Sequence, residues 1–228
     1  MDFNEFEKNT GLNFSDKSLL QQAFVHRSYI NENKVSGLNH NERLEFLGDA
    51  VLELVITDFL YKKYTDKAEG DLTAYRSSLV NADTCAGIAN QLGMGDYLLL
   101  SKGESKDVGR ARQYILANAL EALIGAIYID QGLDSSKDFI ERNFTPLIEK
   151  IISAGSFIDA KSLFQEKAQE FDGITPSYKT MKETGPDHEK KFTVGVYVGR
   201  DLIATGEGES KQDAEQSAAR SALSARGW

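Results

Sequence analysis

Within the segment ERLEFLGDAVLEL, Glu42, Glu45, Asp49 and Glu53 are spaced three, four and four residues apart. On a helix this spacing draws them into one acidic stripe beside an apolar stripe of Leu44, Leu47, Val51, Leu54 and Val55. Like charges so placed repel one another by roughly 0.2–0.5 kcal/mol per pair, so helix propensity alone does not put them there. A carboxylate removed from water costs several kcal/mol unless a cation meets it. The stripe is therefore either a solvated helix face or the donor set of a cation. Gly48 favours the second reading: it costs about 1 kcal/mol relative to Ala inside a helix, and a missing side chain beside Asp49 points to close packing. A second segment, ILANALEALIGAIYID, sets Asn118 and Glu121 three apart among Leu116, Leu120, Leu123, Ile124 and Ile127, again with an interior glycine, Gly125. Two such helices packed face to face would gather four oxygen ligands, the chemistry of a hard cation such as Mg²⁺ or Mn²⁺. That chemistry serves phosphodiester hydrolysis. Paired carboxylates also cut glycosides, but no aromatic cluster for sugar stacking lies near these helices.

Positioning such donors takes helices, and the first two-thirds of the chain is patterned for them. Apolar residues recur at three- and four-residue spacing over 16–29, 39–64, 71–81, 83–92, 110–129 and 134–153, with polar breaks at 33–39 and 103–109. No strand is expected before residue 170. The pattern then changes to a helix over 161–171, three alternating segments over 177–185, 191–200 and 201–209, and an Ala-rich helix starting at Ser210. The expected fold is an all-α domain over 1–152, a linker at 153–158, and a small α+β domain of α-β-β-β-α order over 159–228.

Composition narrows the chemistry further. The chain has 228 residues, 41% of them hydrophobic, enough for a packed core. No apolar run approaches the roughly 20 residues of a membrane span, and MDFNEFEKNTG is too acidic and polar for a secretory signal, so a cytoplasmic protein is expected. The lone Cys85 has no intrachain disulfide partner, and His26, His40 and His188 are the only imidazoles. A thiolate or imidazole zinc site is thereby excluded, and any metal needs oxygen ligands. A net charge of −9 argues against indiscriminate nucleic-acid binding but allows a local basic face.

HNERLEFLGDAVL resembles the signature of ribonuclease III, the metal-dependent endonuclease of double-stranded RNA. AFVHRSY, EGDLTAYRSSLVN and ILANALEALIGAIYID follow in that family's order. The resemblance implies that Glu45, Asp49 and Glu121 bind Mg²⁺, with Mn²⁺ as a possible substitute, and that Asp49 and Glu121 are most directly tied to catalysis. It gives Glu42 a further catalytic duty near the scissile strand. Asn118 stands where most members carry Asp. Its amide carbonyl can still coordinate Mg²⁺, and the lost charge should weaken metal binding without abolishing it. Phe46 reads from composition as core, whereas the resemblance implies a residue that enters a pocket of a second subunit in a symmetric homodimer with one cutting centre per subunit.

Residues 159–223 resemble a double-stranded RNA-binding domain. Residues 159–228 hold ten Lys plus Arg against twelve Asp plus Glu, so affinity must come from the placement of cations. Lys190 and Lys191 lie beside a loop containing Pro186, Asp187 and His188, and Lys211 lies in the first turn of a helix that Ser210 can cap. The loop would enter a minor groove, and the resemblance brings Gln165 and Glu166 of the first helix to another. A solvated surface role remains open for Lys211 and His188. Gln212 and Asp213 stand where relatives often carry a cation, so weak, salt-sensitive binding is expected. Arg27 and Arg76 could steady the acidic helices, meet phosphates or form internal ion pairs.

The leading expectation is a dimeric endoribonuclease that cuts duplex RNA to 5′-phosphate and 3′-hydroxyl ends, maturing ribosomal precursors and structured messages, with no organic cofactor and no membrane partner. The competing class is a catalytically impaired duplex-RNA binder, silenced at residue 118. A nuclease acting on duplex DNA is a third reading.

Overall fold

Helix-forming periodicity in the first 154 residues becomes a bundle built around two long helices. The computed structural model describes residues 2–34, 37–107, 109–154, 160–185 and 190–228. The chain divides into two compact units, Met1–Phe157 and Ile158–Trp228. The first holds α1 (Asn4–Thr10), α2 (Lys17–Ala23), α3 (Arg27–Glu32), α4 (Glu42–Lys63), α5 (Glu69–Leu79), α6 (Ala82–Gln91) and α7 (Arg110–Ala154), with two short 3-10 segments, Met94–Tyr97 and Glu104–Lys106, between α6 and α7. Helices α4 and α7 form its centre. Leu52, Val55 and Ile56 of α4 are buried with Leu120, Leu123, Ile124 and Ile127 of α7 in one continuous core. Gly132 (φ 81°, ψ −174°) interrupts α7 between the two helices expected there. Just before the break, the Asp130 carboxylate accepts the backbone N–H groups of Ser15 and Asp16 at 2.9 and 2.8 Å, which ties the start of α2 to α7.

Two local features depart from the expected pattern. The single helix expected over 16–29 is split into α2 and α3, because the chain turns at Phe24 (φ −95°, ψ 0°), Val25 bridges to Leu99 and His26 is extended. His26 N–H donates to the Leu99 carbonyl at 3.0 Å and Leu99 N–H to that of Phe24 at 2.8 Å, and the His26 ring then caps α3 by accepting from Ser28 N–H. This isolated bridge is not a strand, so the first unit is all-α among the described residues. Helix α1 was not anticipated. Phe6 anchors it against Phe24 and Tyr97 at ring separations of 5.1 and 5.2 Å, and the buried Glu7 accepts from Phe14 N–H and Lys17 Nζ, both at 2.7 Å.

In the second unit α8 (Ala160–Asp172) precedes an antiparallel sheet, β1 (Ser177–Thr184), β2 (Lys191–Val198) and β3 (Asp201–Gly208) in that spatial order, and α9 (Lys211–Arg226) closes it. Ala160, Phe164 and Ala168 of α8 and Ala218, Ala219, Ala222 and Leu223 of α9 bury Val196 and Val198 of β2. The alanine-rich face lets α9 lie very close to β3. A Cβ on Gly206 would fall 2.0 Å from Ala218 N, and one on Gly208 would fall 2.4 Å from Ala214 N. This is the α-β-β-β-α order expected from the sequence.

Candidate functional site

The contact that builds the acidic site is backbone on backbone. A Cβ placed on Gly48 would lie 1.8 Å from the Glu121 carbonyl oxygen and 2.7 Å from Gly125 N, and one on Gly125 would lie 2.2 Å from the Leu44 carbonyl oxygen. No side chain fits at either position, so α4 and α7 meet at their two interior glycines. Glu45 and Asp49, which flank Gly48 on α4, are thereby brought to Glu121, whose own backbone is the surface that Gly48 touches.

Electrostatics record this proximity. The Glu121 carboxyl is pushed up to about 7, first by burial and then by the charges of Asp49 and Glu45. Glu45 is raised by burial, then by Glu42 and Asp49, against a lowering hydrogen bond from Asn118. Asp49 is raised by burial and then by Glu53. Burial is the leading cause in all three acids, and Glu121, the most buried of them, holds its proton longest. The field reaches the core, where burial, Glu121 and Asp49 together push the Cys85 thiol up to about 12.

Glu45, Asp49, Asn118 and Glu121 are therefore neighbours, and Asn118 is joined to Glu45 through its side-chain amide. All four offer oxygen, and the only shift toward the charged form within the cluster is that hydrogen bond. Such a donor set suits a hard divalent cation. The side chains are not yet gathered into a cage: among the described residues no three His, Cys, Asp or Glu converge closely enough to hold an ion. Asp49 and Glu53 are also exposed, so the stripe is half-solvated at one end. Glu42 stands outside the cluster, exposed, with Arg27 Nη1 3.5 Å from one carboxylate oxygen and His40 Nδ1 3.7 Å from the other. The sequence left Arg27 open between several roles, and the fold pairs it with an acid. Arg76 donates to Thr57 Oγ1 at 3.1 Å. The contribution of His40, whose Nδ1 is buried without a hydrogen bond, was not anticipated.

Phe46 is 82% exposed, which removes the core reading. Leu54 and Tyr61, on the same side of α4, are 58% and 72% exposed. Beside them, between α4 and α5, lies a hollow of about 450 Å³ lined by Thr57, Leu60, Tyr61, Leu72 and Arg76 among others.

In the second unit Gln165 and Glu166 are exposed on α8, and Lys191 and Lys211 are exposed at the end of the sheet and the start of α9. Ser210 caps α9 by accepting Asp213 N–H at 3.1 Å. Lys190 is half-buried. Pro186 and His188 lie outside the described residues. An acid that the sequence reading did not single out, Glu183 of β1, is 3.0 Å from Lys211 Nζ and 4.0 Å from Lys190 Nζ.

Comparison with known proteins decides the family. A model of Ribonuclease-III-like domains matches residues 16–148, and one of the double-stranded RNA binding motif matches residues 160–225. The chain belongs to the ribonuclease III family of endoribonucleases. A Ribonuclease 3 from Borreliella burgdorferi is 47% identical over 221 residues, covering 97% of this chain and 90% of the relative. One from Protochlamydia amoebophila is 47% identical over 218 residues, covering 96% of this chain and 89% of the relative. Among solved structures, the nuclease domain of a ribonuclease III from Campylobacter jejuni, described for flexibility in a region involved in dimer formation, is 41% identical with a TM-score of 0.56. It covers 63% of this chain and 99% of its own. The family's nuclease domain is thus the bundle that carries the acids, and its RNA-binding motif is the α-β-β-β-α unit.

Proposed function

We propose that the chain is a homodimeric, divalent-metal-dependent endoribonuclease that cuts double-stranded RNA to 5′-phosphate and 3′-hydroxyl ends. The observation that carries the reading is the Gly48 to Glu121 backbone contact, which places three mutually repelling acids and one amide at a single helix crossing. Glu45, Asp49 and Glu121 would hold Mg²⁺, with Mn²⁺ as a substitute, and Asn118 would offer its carbonyl oxygen while its amide N–H orients Glu45. Magnesium, when bound, supplies positive charge that activates water and offsets the charge developing on the phosphoryl group. Water adds to phosphorus as the bond to the 3′ oxygen breaks, which leaves the phosphate on the 5′ side. Glu42, steadied by Arg27, stands outside the cluster at the start of α4, where the scissile strand would lie. Asp49 and Glu121 are the acids nearest the chemistry in this account.

The dimer reading rests on Phe46. A phenylalanine this exposed, on one helix with exposed Leu54 and Tyr61, is covered by a second copy. The hollow between α4 and α5 is its candidate receptor. Two centres related by a two-fold axis then address the two strands of a duplex. In the second unit Gln165, Glu166, Lys190, Lys191 and Lys211 would bind duplex RNA by its shape and phosphates. The biological substrates in this reading are ribosomal precursors and structured messages of the cytoplasm. No helix among the described residues is long and apolar enough to cross a membrane.

Asn118 keeps a second reading in view, a duplex-RNA binder with an impaired centre. Incubating labelled duplex RNA and duplex DNA with Mg²⁺ and the native chain, Glu121→Gln or Asn118→Asp separates the readings. Cutting of RNA alone by the native chain, lost in Glu121→Gln, is expected. An inert native chain beside an active Asn118→Asp would establish the impaired reading, and efficient cutting of DNA would overturn the substrate class.

A further inference from the structure

Strand β1 carries an irregularity that decides which of its charges faces α9. Tyr178 and Thr180 pair with Val196 and Val194, the buried valines on the helix-covered side of the sheet. Cross-strand partners share a face, so an unbroken β1 would next pair Lys182 with Phe192 and turn Lys182 toward α9. Instead the register shifts between Thr180 and Lys182, leaving Met181 over, and Glu183 becomes the partner of Phe192. A bulge of this kind re-aims the side chains beyond it. Lys211 Nζ sits 5.6 Å over the Phe192 ring, 3.0 Å from one Glu183 carboxylate oxygen, and Lys190 Nζ is 4.0 Å from the other. Without the bulge, Lys182 would face Lys211, and two cations would meet at the start of α9. With it, an acid stands there.

We propose that Glu183 is an internal competitor for RNA phosphate at Lys211, setting the duplex-RNA affinity of the second unit below what its cations alone would give. The inference rests on the reading of this unit as a duplex-RNA binder. A phosphate approaching Lys211 must displace the Glu183 carboxylate, and once displaced that carboxylate remains among the phosphates and repels them. The start of α9 offers no compensation, because Ser210 already accepts Asp213 N–H and donates to Asp213 Oδ2 at 2.6 Å, which leaves a second acid in the first turn. The pair is solvent-exposed, so its effect is modest. Its loss should raise affinity roughly two- to five-fold, the range that exposed ion pairs span. Screening shrinks that gain as the Debye length falls from about 30 Å at 0.01 M salt to about 8 Å at 0.15 M.

The test is a binding titration of the full chain with a labelled RNA duplex, in chelator so that the RNA stays intact, for native, Glu183→Gln, Lys211→Ala and the double variant across a salt series. The expected result is tighter binding by Glu183→Gln at low salt, a gain that fades with salt, and loss of the gain when Lys211 is absent. Unchanged affinity in Glu183→Gln overturns the inference, as does an equal gain with and without Lys211, which would make Glu183 a general repeller. A native chain that fails to bind the duplex at low salt overturns the duplex-binding reading itself, an outcome distinct from the other two. Glu183→Thr, which keeps a strand-forming residue, repeats the test should glutamine disturb β1.

Discussion

At neutral pH and above, the ionised forms of Glu121, Asp49 and Glu45 must coexist at a half-buried contact, and Glu121 resists this by holding its proton to about 7 against an ordinary 4.5. A carboxyl raised on folding binds more protons in the folded state between those two values. Stability of the metal-free protein should therefore fall as pH rises from about 4.5 to 7, by at most about 3.5 kcal/mol at about 1.4 kcal/mol per unit, and level off above. Thermal unfolding in chelator at pH 5 and pH 8 checks the sign, and Glu121→Gln should flatten the dependence. Added Mg²⁺ should raise Tm at pH 8 much more than at pH 5, because it binds the ionised cluster of the folded state. Sequence spacing made Glu45, Asp49 and Glu121 legible as candidate ligands, because acids among apolar residues need a reason. It could not show that Asn118 bonds to Glu45 or that Arg27 attends Glu42, since these contacts join separate segments, nor that His40, only two residues from Glu42, turns its ring toward it.

At the scale of elements, Gly48 and Gly125 matter more than any side chain. In an unconstrained helix Gly48→Ala would gain about 1 kcal/mol. Here the added methyl would meet the Glu121 carbonyl oxygen at 1.8 Å, and backbone cannot swing aside as a side-chain tip can. Overpacking costs typically about 1–3 kcal/mol and more where backbone must shift, so the net change is destabilising. Gly48→Ala and Gly125→Ala should each lower Tm and separate α4 from α7, and cleavage should fall further than stability explains because the ligands move apart. A higher Tm in either variant would contradict the close approach. The interior glycines were legible as a packing signal, and so were the break before residue 134 and the α-β-β-β-α element order of the second unit. The split of α2 from α3 was not, because it depends on Leu99 pairing with Phe24 and His26 across more than seventy residues. The bulge in β1 was hidden for a similar reason: alternation in SYKTMKETG does not reveal where a register will slip.

For the whole molecule, the exposed face of α4 predicts assembly. Phe46→Asp should shift sedimentation of the proposed dimer toward monomer, weakening association by at least about 2 kcal/mol, roughly thirtyfold, as expected of a central aromatic anchor. A native chain that is monomeric at micromolar concentration would remove the dimer from the account. The central claim is that a divalent cation is held where α4 and α7 meet at their glycines. It is tested most directly by calorimetric titration of Mn²⁺ into the metal-free chain at pH 8, in parallel with Glu121→Gln and Asn118→Asp. Saturable binding by the native chain is expected, with its loss in Glu121→Gln and tighter binding in Asn118→Asp, where a fourth charge joins the site. Binding that is the same in all three proteins would place the cation elsewhere and contradict it.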